Sequence, residues 1–253
     1  MKHRRPSSAS YRRKLVCTEN ISPGLPLGRH KKDAAGSAAK MSALDNLNWS
    51  SIRVHYDERV DIHDQLLDLH RGGNIRQFAR LALGISNVAG NYSADEHKLG
   101  PQVLSGNLNP EKRVFDLGGR FIQLTTARTV SQLIRDAGLR YLQIGVGSEM
   151  SCMVNPNVCW VANTRTIWTH LVIKHADDFD KANEELRLYR DADTSSEMAY
   201  QIWTHIHREL ATSMTRIADE GVRLARSARV TPGPIKYIWA DAIANRMYAD
   251  YHE

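Results

Sequence analysis

The stretch WVANTRTIWTHLV, residues 160–172, decides the fold. Trp160, Val161, Thr164, Ile167, Trp168, Leu171 and Val172 recur at i, i+1, i+4, i+7, i+8, i+11 and i+12, a spacing that keeps one helical face continuously apolar. Downstream, Asp177 or Asp178 can cap a helix that turns Phe179, Ala182, Leu186 and Tyr189 inward. Thr194-Ser195-Ser196-Glu197 reads as a capping box opening a long helix, whose stripe is Ile202, Trp203, Ile206, Leu210, Met214, Ile217 and Leu224. Thr231-Pro232-Gly233-Pro234 breaks the chain. A last amphipathic helix carries Ile235, Ile238, Trp239, Ala242, Ile243 and Met247. Adjacent amphipathic helices joined by short loops predict a mainly α protein with a helical bundle over residues 111–253.

Upstream the pattern is weaker. Residues 57–69 have helical spacing, Arg71-Gly72-Gly73 ends it, and Asn74 can cap a second helix with Ile75, Phe78, Leu81, Ala82 and Ile85 inward. Residues 87–110 are polar and punctuated by Gly90, Gly100, Pro101 and Gly106, which predicts a long surface loop or an internal boundary. Val114 to Leu124 reads equally as helix or strand, interrupted by Gly118-Gly119. The expected organisation is a basic arm over 1–40, a helical subdomain with its loop over 41–110, and the bundle over 111–253.

The charge is unevenly placed. Of the formal net charge of +6, residues 1–40 hold ten Lys/Arg against Glu19 and Asp33, and the remainder is close to neutral. This Ser-, Pro-, Gly- and Ala-rich segment has too little apolar surface to offset its ordering entropy, so a disordered arm is expected. Its basic clusters, Arg4, Arg5, Arg12, Arg13 and Lys14, then Arg29, Lys31 and Lys32, suit phosphate backbones, where each neutralised phosphate releases a counterion. A transit peptide, attachment to an anionic membrane surface and a leader before a true start at Met41 compete with that reading. No apolar run approaches the roughly 18–20 residues of a membrane span. Cys17, Cys152 and Cys159 form an odd set without zinc-like spacing, so a reducing, cytoplasmic location is expected.

Three motifs bear on chemistry. RYLQIGVGSE, residues 140–149, resembles the first glycine motif of Rossmann-type nucleotide or methyl-donor enzymes, although Met150 replaces the third glycine and Gln143 stands where methyltransferases carry an acid. Val130 to Leu139, with Gly138 at a turn and Ile144 beyond it, resembles a helix-turn-helix; Arg135 and Arg140 would then contact phosphate. Arg165 and His170 fit the R-x4-6-H signature of HEPN-type ribonucleases, and that resemblance implies charge stabilisation by Arg165 and acid/base work by His170. With 24 Arg and 11 His in the chain, such a spacing also arises by chance.

His205 and His207 lie on opposite sides of a helix, and His63 and His70 have no completing ligand, so no metal site or cofactor is expected. The tryptophans at inward helical positions are expected in the core. Together the residues predict a nucleic-acid-binding or packaging protein, for DNA or RNA, with homo-oligomerisation in its assembly. A HEPN-like ribonuclease and a helical protein-binding scaffold are the alternatives.

Overall fold

The computed structural model describes residues 41–190 and 197–252, and its secondary structure is helical, with no strand among them. The basic residues of 1–40 and the capping box at 194 lie outside the described residues. The helices are α1 (Trp49–Arg71), α2 (Ile75–Ala82), α3 (Tyr92–Glu96), α4 (Leu99–Ser105), α5 (Pro110–Ile122), α6 (Val130–Ala137), α7 (Ile144–Val154), α8 (Thr164–Lys174), α9 (Phe179–Arg190), α10 (Glu197–Ser227) and α11 (Lys236–His252).

Helix α1 starts where the Asn48 side chain accepts from the Ser51 amide. It buries Trp49, Ile52, Tyr56, Arg59, Ile62 and Leu66, spaced three or four residues apart on one face. That face meets α11, α7 and α2. Helix α7 is buried from Val146 to Val154 and touches α1, α3, α5, α6 and α11, which makes it the central helix. Helix α8 begins at Thr164 rather than Trp160, because Asn163 and Thr166 form the capping box there. Its Ile167, Trp168, Leu171 and Val172 are buried against α9, α10 and α11. Asp178 caps α9 by accepting from the Lys181 amide. Helices on both sides of residue 110 contribute to one hydrophobic cluster, so the expected division there coincides with the start of α5 and with no gap in packing.

Residues 87–110, expected as a surface loop, instead hold α3 and α4 and bury Ala89, Gly90, Asn91, Ala94 and Val103. A Cβ at Gly90 would sit 2.0 Å from the Leu81 carbonyl oxygen, so glycine here permits backbone contact with α2. Asn91, fully buried, donates to the Ala82 and Val146 carbonyls and accepts from the Ala94 amide, so its polar atoms tie α2, α3 and α7 together. The ambiguous stretch Val114 to Leu124 is helical, and a Cβ at Gly118 would stand 2.4 Å from the Phe78 ring. The glycines there serve close helix packing, not a strand.

The tryptophans divide. Trp168 and Trp239 are fully buried, with Trp168 Nε1 donating to Asn183 Oδ1 at 2.8 Å. Trp203, expected beside them in the core, is half-buried and lines a cleft. Trp168→Ala and Trp239→Ala are each expected to cost about 3–5 kcal/mol of stability, as large aromatic truncations in cores do. Trp203→Ala should cost clearly less, and urea unfolding of the three variants measures the difference.

Candidate nucleic-acid interface

The cleft, about 830 Å³, lies between α3, the α6–α7 connection, the start of α8 and the outer face of α9 and α10. Among the described residues, the charged side chains lining it are Arg135, Arg140 and Arg165 against Glu96, an excess of cations. The aromatic ones are Tyr92, Tyr141, Tyr189, Tyr200 and Trp203. The Arg135 guanidinium stands 4.4 Å from the centre of the Tyr200 ring, and that of Arg140 stands 5.5 Å from Tyr141. Such pairs combine a flat π face with a cation.

Local sequence positions these groups. Helix α6 ends at Gly138, whose φ of +58° turns the chain. The Asn107 side chain then clamps Arg140, accepting from its amide at 2.9 Å and donating to its carbonyl at 3.1 Å. Tyr141 is held at φ +67°, an unusual conformation for a bulky residue, with its ring against Gly106. Helix α7 then opens at the cleft floor through Ile144, Gly145 and Val146, without a side-chain cap from Gln143. Arg165, at the second position of α8, donates to Asn245 Oδ1 at 2.7 Å and lies 3.7 Å from Glu96.

The cleft wall is set from beneath by buried charges. Glu149 of α7 accepts from Arg59 at 2.9 Å, from the Tyr92 and Ser93 amides at 2.7 and 3.0 Å, and from the Ser93 hydroxyl at 2.6 Å. Its carboxylate thus serves the first turn of α3. Arg59 also donates to the Ala89 carbonyl and lies 3.8 Å from Asp241 of α11. Burial works against the Arg59 charge, and the neighbouring Glu149 and Asp241 outweigh it. Tyr92 sits over this cluster, its ring near Arg59 and its hydroxyl donating to Glu58.

The three motifs separate here. The glycine motif lies within α7 and follows no strand, so it does not form a Rossmann turn. Helices α6 and α7 do pack across a glycine turn, but α7 is buried on nearly every side and cannot enter a nucleic-acid groove. Arg135 and Arg140 are nevertheless brought together with Arg165 at one cleft. Arg165 and His170 diverge, because α8 is unbroken between them and places residues five apart about 140° apart around its axis. His170 faces α10, where its Nδ1 pairs with Ser213 Oγ at 2.8 Å, and burial lowers its pKa. Its partner is structural.

Among the described residues, no group of three or more His, Cys, Asp or Glu is placed to hold a metal ion, and no helix is long and apolar enough to cross a membrane. His63 pairs with the Met153 carbonyl and His70 stacks on Phe115. Sequence reasoning missed Arg59, Glu149 and Asp241. Each is a charge within an otherwise apolar helical face, and that placement was the available signal. Compared with known proteins, the chain matches no family model, no curated protein and no solved structure.

The buried histidines set an acid response. Burial, then the charges of Arg59 and Arg165, push His55 down to about 4, and burial does the same to His207, which is stacked on Trp160. A histidine in the unfolded chain titrates near 6.5. Between pH 6.5 and 4 the unfolded state therefore binds protons that the folded state refuses, and stability falls as pH falls. His170, also lowered by burial, acts in the same direction, whereas burial shifts Asp241 upward and acts in the opposite one. His207→Phe keeps an aromatic ring on Trp160 without its titration. Urea midpoints of this variant should fall less steeply from pH 6.5 to 4 than those of the parent; an equally steep fall would contradict the assignment.

Proposed function

We propose that the chain is a nucleic-acid-binding protein in which the basic segment 1–40 supplies salt-dependent attraction and the cleft holds unpaired bases. One observation carries this reading: among the described residues, a single cleft gathers three arginines and five aromatic side chains against one carboxylate. Aromatic and guanidinium faces stack on any base, whereas bases inside a duplex are already stacked on their neighbours. Such a site therefore favours single strands, of DNA or RNA, over duplex. The ten Lys/Arg of residues 1–40 extend the attraction beyond the cleft without requiring fixed geometry. The C-terminal helices α8, α10 and α11, read as a bundle, would form the backing of the cleft. Packaging, through self-assembly on a strand, would use the same interactions repeated along it.

The two parts are separable by experiment. Deleting residues 1–40 should flatten the dependence of log affinity on log salt, by about 0.7 for each single-strand phosphate that the segment neutralises. The helical circular-dichroism signal should persist. In the remaining body, Trp203→Ala or Tyr200→Ala should weaken binding of a mixed-sequence single strand by roughly 5- to 150-fold, the range for losing one stacked base. Duplex binding should change little. A shortened chain with the full salt dependence would contradict the role of the segment, and cleft variants with parental single-strand affinity would contradict the role of the cleft.

A further inference from the structure

A second pocket, about 320 Å³, lies on the other side of Arg165 between α1 and α11. It shares Tyr92 and Arg165 with the cleft, so one guanidinium stands at the boundary of both cavities. The other polar groups on its wall include His55, Asn245 and Arg246, and no carboxylate lines it among the described residues. The nearest acids are engaged at its margins. Asp250 pairs with Arg246, Glu96 lies 3.7 Å from Arg165, and Glu58 accepts from the Tyr92 hydroxyl and lies 3.7 Å from His55 Nδ1. Two buried nitrogens of the pocket residues, His55 Nε2 and Arg246 Nε, have no hydrogen-bond partner among the described residues. Arg246 Nε is a donor in every state, and His55 Nε2 becomes one when its ring carries the proton there; a buried donor without an acceptor is costly, and such nitrogens beside two cations fit an anion.

We infer that this pocket is a phosphate subsite, holding a phosphodiester of the strand whose bases occupy the adjoining cleft, with Arg165 and Arg246 as its cations and His55 as a further donor. The inference rests on the reading of the cleft as a single-strand site. Asn245 acts as a positioning residue: by accepting from Arg165 Nη1 at 2.7 Å it fixes that guanidinium from the pocket side. The shared Arg165 explains why the two cavities work as one. A strand lying in the cleft would pass its backbone over this guanidinium and place the next phosphate beyond it. Guanidinium groups favour such a path because they present several donors to phosphate oxygens in a planar fork. Burial first, and then the field of Arg59 and Arg165, keeps His55 neutral, and a bound phosphate would offset that positive field.

The test uses the full chain and two probes. First, affinity for a fluorescent single-stranded oligonucleotide is compared between the parent, Arg246→Gln, His55→Gln and Trp203→Ala at physiological ionic strength. Arg246→Gln should weaken binding about tenfold, the scale of one charge-assisted hydrogen bond, with thermal unfolding unchanged. His55→Gln should weaken it to a smaller extent. Second, inorganic phosphate is titrated while the His55 ring resonances are followed. They should shift in the parent and in Trp203→Ala, and the shift should be abolished in Arg246→Gln. Weakened binding in Trp203→Ala with parental affinity in both pocket variants would overturn the phosphate subsite and leave the cleft reading standing. No oligonucleotide binding by any form would overturn the cleft reading and this inference with it, even if phosphate alone moved His55.

Discussion

The buried ion pair between Arg59 and Glu149 is the constraint on which the rest of the structure depends. It joins α1 to α7, and the same carboxylate holds the first turn of α3 while Arg59 reaches the Ala89 carbonyl and faces Asp241 of α11. Desolvating such charges is expensive, and a well-packed apolar replacement is often as stable. What the pair adds is position. Helix α3 spans only five residues and is too short to hold itself, so the Glu149 carboxylate at its start determines where Tyr92 and Ser93 stand. Tyr92 in turn forms part of the wall between the two cavities.

From that constraint the cleft follows in layers. Asn91 links α2, α3 and α7 beneath it, and Asn163 with Thr166 fixes the start of α8 and so the root of Arg165. Asn107 clamps Arg140 from the opposite side. Three asparagines and one glutamate thus place aromatic and cationic groups that reach solvent at the cleft. Asn91 and Glu149 are buried with their side chains hydrogen-bonded, and such groups tolerate few alternative arrangements, which suits a site whose faces must stand at fixed spacing. The strained backbone of Tyr141, held against Gly106 beside the clamp, fits a residue kept in place for its ring.

The C-terminal helices were legible because Ile167, Trp168, Leu171, Ile206, Leu210, Ile238 and Trp239 follow helical spacing with clear caps and breakers. Residues 87–110 were misread because Gly90 and Gly100 look like loop punctuation, whereas each allows a backbone-to-backbone approach that spacing alone does not reveal. Arg135 and Arg140 were singled out for a groove-reading motif that the burial of α7 denies, and they meet at the cleft instead. Arg165 was singled out with His170 but belongs with residues from α3, α6 and α11. Trp203 sat on an apolar stripe and so looked like core. The partners of all these residues are distant in sequence, and one-dimensional periodicity carries no information about which helix faces which.

If unpaired nucleotides lie in the cleft built over the Arg59 and Glu149 pair, its aromatic side chains touch their bases. The most direct measurement is photocrosslinking of the full chain to a single-stranded oligonucleotide carrying a photoreactive base, with the attachment sites mapped by peptide mass spectrometry. Crosslinks are expected at Tyr141, Tyr200 and Trp203, competed by unlabelled single strand and poorly by duplex. Crosslinks confined to residues 1–40, or spread over the surface without those three aromatics, would contradict that placement.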